Sequence, residues 1–304
     1  MVMRSDPSTM VGKNVLITGA NSGLGFASAR ALAALGATII MACRNESRGI
    51  AARDEIAKIA RGAPPVLLVC DLSLQAAVQT LAKEVHARTE RLDVLMNNAG
   101  AIFARRELTA DGIEKTFAVN HLAPFLLTNL LLDRLRAAPA GRVVNVVADP
   151  FITTLDFDNL QSEKGHNFLA AYFRSKLANI LFTYEFARLL AGTSVTANCA
   201  SPGPALTNFG ANLRGMPALF HLILAPIKRI PFLFYGAEKG AETQVYLASS
   251  PEVANLSGRY FFRGREKSTK AATHDPQVAA RLWEISEELC STRAPLPRSM
   301  ARGS

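Results

Sequence analysis

Short apolar runs alternate with longer stretches of helical spacing from residue 14 to residue 262. Residues 14–18, 38–42, 66–70, 92–96, 142–147, 194–198 and 258–262 read as strands. Their apolar side chains run on instead of alternating with polar ones, which marks strands covered on both faces. Between them, residues 23–35, 46–60, 74–88, 113–135, 168–190 and 236–247 read as helices. Right-handed crossovers between such strands build a doubly wound parallel sheet with helices on both faces, a Rossmann-type α/β fold. No internal repeat or linker breaks the alternation, so residues 1–304 are expected to form one domain, with flexible tails at 1–11 and 292–304.

The first strand runs into Thr18-Gly19-Ala20-Asn21-Ser22-Gly23-Leu24-Gly25, where the first helix begins. In open α/β sheets, ligands bind beyond the carboxyl ends of the strands, and this turn lies there. Gly19 permits a tight turn, Gly23 lets backbone approach a pyrophosphate, and Gly25 allows close helix–strand packing. Asn21, Ser22 and Leu24 complete a loop that leads into a helix N-terminus, whose N–H groups and dipole attract phosphate. The same glycines would serve a plain turn; their place between strand and helix favours a dinucleotide. An acidic residue about 20 positions further on would select NAD. Cys43 occupies that region and Arg44 follows it. A guanidinium pairs with a 2′-phosphate, so NADP(H) is the expected cofactor, with a solvated arginine as the rival reading. Asp71, with Leu72 beside it, closes the third strand, placed to accept a bond from adenine or to cap the next helix.

Tyr172 and Lys176 lie four apart in Tyr-Phe-Arg-Ser-Lys, on one helix face. A phenol with a pKa near 10 is a poor base at neutral pH, and a neighbouring ammonium favours its ionised form. The pair therefore suits proton exchange with a substrate oxygen, although two surface neighbours on an amphipathic helix would look alike.

Composition narrows the partners. Hydrophobic residues make up 49% and charged ones 19%, a globular balance. The net charge of +9 would suit a nucleic-acid binder, but the basic residues are scattered and no binding to nucleic acid is expected. Cys43, Cys70, Cys199 and Cys290 are far apart and show no metal-ligand spacing, so neither a disulfide framework nor a metal site is expected. Residues 1–11 show no apolar leader, and a soluble, cytoplasmic protein is expected.

Taken in order, the glycine turn, Asn97-Asn98-Ala99-Gly100, Asn120, the Tyr172/Lys176 pair and Pro202-Gly203 resemble the short-chain dehydrogenase/reductase family, over residues 12 to 262. Asn159-Leu160-Gln161, Ser175 to Phe182, and Ala280-Arg281-Leu282-Trp283-Glu284 are similar to its retinol dehydrogenase branch. The resemblance implies an oxidoreductase in which Tyr172 is the acid/base, Lys176 tunes it and bonds the nicotinamide ribose, and Asn120 holds a water in a proton relay or kinks its helix. It further implies cofactor contacts at Asn98, Ala99, Gly100, Pro202, Gly203 and Thr207, and a homodimer or homotetramer.

One departure stands out. The family usually ends its fifth strand with two serines, the second bonding the substrate carbonyl. Val147-Ala148 occupy those places. Thr153, Thr154 and Asp149 are the candidates to replace the lost donor; otherwise the chain is a nucleotide-binding relative with lost or altered redox chemistry. The segment 209–234 is strongly apolar, with Arg214, Lys228 and Arg229 interspersed. It reads as a substrate lid for an apolar aldehyde, ketone or alcohol, as a subunit interface, or as a peripheral membrane contact.

Overall fold

The computed structural model describes residues 10–203 and 236–290. Thr207, the apolar segment 209–234, the tail 292–304 and all but the end of the tail 1–11 therefore lie outside the described residues.

Eight strands form one sheet in the order β3-β2-β1-β4-β5-β6-β7-β8, parallel except for the final pair. They are β1 (Asn14–Thr18), β2 (Thr38–Cys43), β3 (Val66–Val69), β4 (Val94–Asn97), β5 (Gly141–Val146), β6 (Val195–Ser201), β7 (Arg259–Phe262) and β8 (Arg265–Glu266). The expected seven strands are all present; the short β8 turns back at Arg263-Gly264, both at positive φ, in a hairpin that the apolar pattern is too short to reveal. β1, β4 and β5 are almost wholly buried, as their continuous apolar runs require. The strand order reverses between β1 and β4, so the crevice for a ligand opens there.

Helices α1 (Gly23–Ala34), α2 (Glu46–Ala57) and α3 (Gln75–Arg88) follow the first three strands. The expected single helix over 113–135 is instead a broken rod: α4 (Lys115–Phe117), a π-helical turn (Ala118–Leu122), α5 (Ala123–Leu130) and α6 (Leu132–Arg136). The π turn holds Asn120, and π turns inside helices gather at functional sites. Glu114 starts this rod by accepting the N–H groups of Thr116 and Phe117, both at 2.8 Å. Helix α7 (Phe168–Leu189) is capped by Asn167, which accepts from Leu169 and Ala170. Helices α8 (Ala237–Ser249) and α9 (Pro276–Leu289) complete the described chain. Two large apolar clusters flank the sheet: one under α3, α5, α7 and α9, the other under α1 and α8. Among the described residues no helix is long and apolar enough to cross a membrane.

Candidate active site

The turn after β1 is built from backbone. Gly19 and Gly23 have φ of +69° and +55°, where a side chain is strained. A Cβ on Gly25 would lie 2.5 Å from Asn98 Nδ2 and against the Gly19 carbonyl. Ser22 stands at the N-cap of α1 without a side-chain capping bond, and the first turn has no acidic residue. The positive end of this helix is thus left without an internal anion. Thr18 fixes the turn to its neighbour: its hydroxyl accepts the N–H groups of Asn98 (3.1 Å) and Ala99 (3.0 Å), while Asn98 Nδ2 donates to the Thr18 carbonyl at 2.8 Å. This locks Asn98-Ala99-Gly100 against the glycine turn, and the two segments line one crevice.

At the end of β2, Cys43 is buried and Arg44 is exposed. Burial pushes the Cys43 thiol up to about 11, against the opposing pull of hydrogen bonds from the Ala20 and Asn21 backbone. The neutral sulfur thus faces the glycine turn. Asn45 caps α2 by accepting from Arg48 N–H at 2.9 Å. Asp71 Oδ1 accepts from the N–H (2.9 Å) and the hydroxyl (2.8 Å) of Ser73, so this oxygen stabilises a local turn ahead of α3. Leu72 is half-buried against the core.

Tyr172 is half-buried and Lys176 buried on α7. Lys176 Nζ lies 5.8 Å from the Tyr172 ring centre and donates to the Val146 carbonyl, at the end of β5, at 2.9 Å. Burial lowers Lys176 to about 8 and pushes the Tyr172 phenol above its ordinary value. Desolvation is the cause of both shifts, and it favours the neutral phenol. Asn120 is fully buried: its Oδ1 accepts Ala101 N–H at 2.7 Å, and its Nδ2 donates to the Ala101 carbonyl (2.9 Å) and Ser175 Oγ (3.0 Å). Ser175 donates in turn to the Tyr172 carbonyl at 2.7 Å. Pro202 and Gly203 follow β6 at the rim, with Gly203 at φ +72° and packed toward the Phe262 ring.

Ala148, half-buried, stands just beyond Val147, whose N–H donates to the Ala200 carbonyl at 2.9 Å. Asp149 is turned toward β7: its Oδ1 accepts from the Tyr260 hydroxyl at 2.6 Å, with Lys267 Nζ 3.7 Å away. Thr153 is half-buried and Thr154 exposed in the loop beyond.

The comparisons with known proteins agree with this fold. The family model described as short chain dehydrogenase matches residues 13–218. The chain belongs to the short-chain dehydrogenase family. It is 43% identical over 299 residues to human retinol dehydrogenase 14, covering 93% of this chain and 87% of that protein. It is 37% identical over 294 residues to human retinol dehydrogenase 13, covering 96% and 88%. A solved structure of an uncharacterized protein from Mycobacterium Paratuberculosis matches with a TM-score of 0.72 at 32% identity, covering 94% of this chain and 96% of that one. A proposed NAD(P)-dependent gluconate 5-dehydrogenase from Beutenbergia cavernae, solved with NADP at low occupancy, matches with a TM-score of 0.64 at 28% identity, covering 84% and 96%. This chain is thus a retinol dehydrogenase-like oxidoreductase of the family.

Sequence reasoning missed several residues of this short-chain dehydrogenase site. Thr18 carried a signal, a hydroxyl on the last strand residue before the glycines. Asn145, Thr183 and Asn179 carried none. They form a buried polar chain beneath the pair: Asn97 Nδ2 donates to Asn145 Oδ1 (2.8 Å), Asn145 Nδ2 to Thr183 Oγ1 (2.8 Å), and Thr183 Oγ1 to the Asn179 carbonyl (2.6 Å). Gln244 of α8 reaches Ser28 Oγ at 2.5 Å and the Leu24 carbonyl at 3.3 Å, bracing α1 from behind.

Proposed function

We propose that this chain is an NADP(H)-dependent reductase of apolar aldehydes or ketones, with Tyr172 as the proton donor. The observation that supports it best is the half-buried Tyr172 beside Lys176, whose Nζ is held on the Val146 carbonyl 5.8 Å from the Tyr172 ring centre. The residues of the crevice fit a dinucleotide. Gly19 and Gly23 take the conformations a phosphate cradle needs, and a side chain at 25 would collide with the Gly19 carbonyl and Asn98 that shape it. Gly19 to Gly25, Asn98 to Gly100 and Pro202-Gly203 would hold the cofactor, and Arg44 would meet its 2′-phosphate. When bound, it supplies the hydride.

The chain's own residues do the rest. Tyr172 gives its proton to the carbonyl oxygen as negative charge develops there. Lys176, below its pKa of about 8, is charged at neutral pH and stabilises the phenolate left behind. Asn120 fixes the loop at Ala101 and, through Ser175, the backbone of Tyr172. An apolar substrate is supported by the composition of 209–234 and by the retinol named in its relatives.

Ala148 favours a second reading, a nucleotide-binding protein whose redox chemistry is lost, because losing an oxyanion-type donor costs about 10²–10³ in rate. The experiment is NADPH oxidation with a panel of apolar aldehydes and ketones, comparing the native chain with Ala148→Ser. We expect measurable turnover by the native chain and a faster rate in Ala148→Ser. Turnover only in Ala148→Ser would select the second reading. NADPH binding without turnover in either chain would remove the reductase reading.

A further inference from the structure

Helix α9 begins at Pro276, beyond the end of the family-model match at residue 218, yet it reaches the centre of the molecule. Its Ser286 is fully buried, with Oγ 2.9 Å from His121 Nε2. His121 follows Asn120 in the π turn and is also fully buried. Its other ring nitrogen, Nδ1, lies 3.1 Å from Asn179 Oδ1. Asn179 Nδ2 donates to the Asn120 carbonyl at 2.6 Å.

The direction of the Asn179 and His121 protons follows from the last acceptor of this chain. A backbone carbonyl can only accept, so Asn179 must present its NH₂ to Asn120 and its Oδ1 to His121. That oxygen also only accepts, so His121 carries its proton on Nδ1. The ring lies among Phe117, Phe125 and Phe182, with neutral Asn179 and Ser286 on its nitrogens. Burial there holds it neutral, its pKa lowered to about 4, so Nε2 is a bare lone pair. The Ser286 hydroxyl is the donor that reaches it. Ser286 Oγ also lies 2.7 Å from the Leu282 carbonyl, which keeps a lone pair beside its helix bond, so the one hydroxyl hydrogen is shared between that oxygen and the ring.

We propose that Ser286 is a positioning residue of the active site, setting the π turn through a chain of hydrogen bonds that links Ser286, His121, Asn179 and the Asn120 carbonyl. From Asn120 the same order passes by its side chain to Ser175 and the backbone of Tyr172. Donors aligned in one direction polarise one another, and buried polar chains are costly when one link is lost. α9 thus acts as a brace on the catalytic helix. This inference rests on the reading of Tyr172 as the reacting group, but its first test does not.

Nitrogen NMR of the native chain, with the His121 signals assigned by their loss in His121→Gln, should show the Nδ1–H tautomer. An Nε2–H tautomer or a charged ring at neutral pH overturns the proposal, whether or not the protein turns over a substrate. With a carbonyl that the native chain reduces, Ser286→Ala should lower kcat about fivefold, the effect of one lost neutral hydrogen bond, and leave KM and NADPH affinity within about twofold. Glu284→Ala, on the exposed face of the same helix, should leave kcat unchanged. A Ser286→Ala chain that melts earlier but keeps the native kcat would show a merely structural bond and overturn the proposal. Should Ser286→Ala not fold, the tautomer decides alone.

Discussion

Around the glycine turn the structure works mainly with backbone, and around Tyr172 it works with side chains. At the turn, two glycines hold positive φ, a third excludes any Cβ, and the Thr18 hydroxyl takes two backbone N–H groups. Beneath Tyr172, side chains also bond to side chains between residues 31 to 165 apart in sequence, from Asn97 with Thr128 to His121 with Ser286. The first corner is made by leaving atoms out, so that a ligand's phosphates can come close to the chain. The second is made by burying polar groups and pairing most of them with one another, because an unpaired group there costs more than its bond contributes. The turn should therefore govern whether cofactor binds, and the buried chain whether bound cofactor is used.

The largest effect should separate these two jobs. Tyr172→Phe removes the proton donor and leaves the turn untouched, so turnover should fall about 10²–10⁴-fold. NADPH affinity, read by fluorescence titration, should stay unchanged. Retained turnover would sink the role given to Tyr172, and lost affinity would show that the corners are not separable.

The next effect belongs to the buried chain alone. His121 keeps its neutral form in the fold down to about pH 4, against an ordinary value of 6.5. Between these values the unfolded chain binds the extra proton, so stability rises with pH. It is fully present above 6.5 and declines as pH falls toward 4. The difference corresponds to about 3 kcal/mol. Urea midpoints measured across this window should fall more steeply for the native chain than for His121→Gln, which lacks the titrating ring. Parallel curves would show that the ring takes up its proton without cost in the folded state.

The smallest effect tests the surface of the cofactor corner. Arg44→Asp should weaken NADPH relative to NADH by about tenfold, as expected for one hydrogen bond to a charged group. An unchanged preference would remove the argument from the end of β2, while leaving the glycine turn and the Tyr172 chemistry as they stand.

The sequence by itself determined the sheet, the helices and the position of the glycine turn, because these follow from local periodicity and from residues whose backbone freedom is unique. It also paired Tyr172 with Lys176, since four residues of helix put them on one face. It read the rod over 113–135 as one helix, because its continuous apolar pattern hides the π turn, and only the family resemblance offered a kink at Asn120. It left open whether Asp71 serves a ligand or a turn, and the structure commits one carboxylate oxygen to Ser73. Only the tertiary structure decided that Asp149 faces Tyr260, that Lys176 rests on Val146, and that Ser286 reaches His121. Such bonds join residues that no spacing rule connects. A buried polar group takes whichever partner the fold brings within about 3 Å, and that choice is made by packing across elements, after the local pattern has been spent.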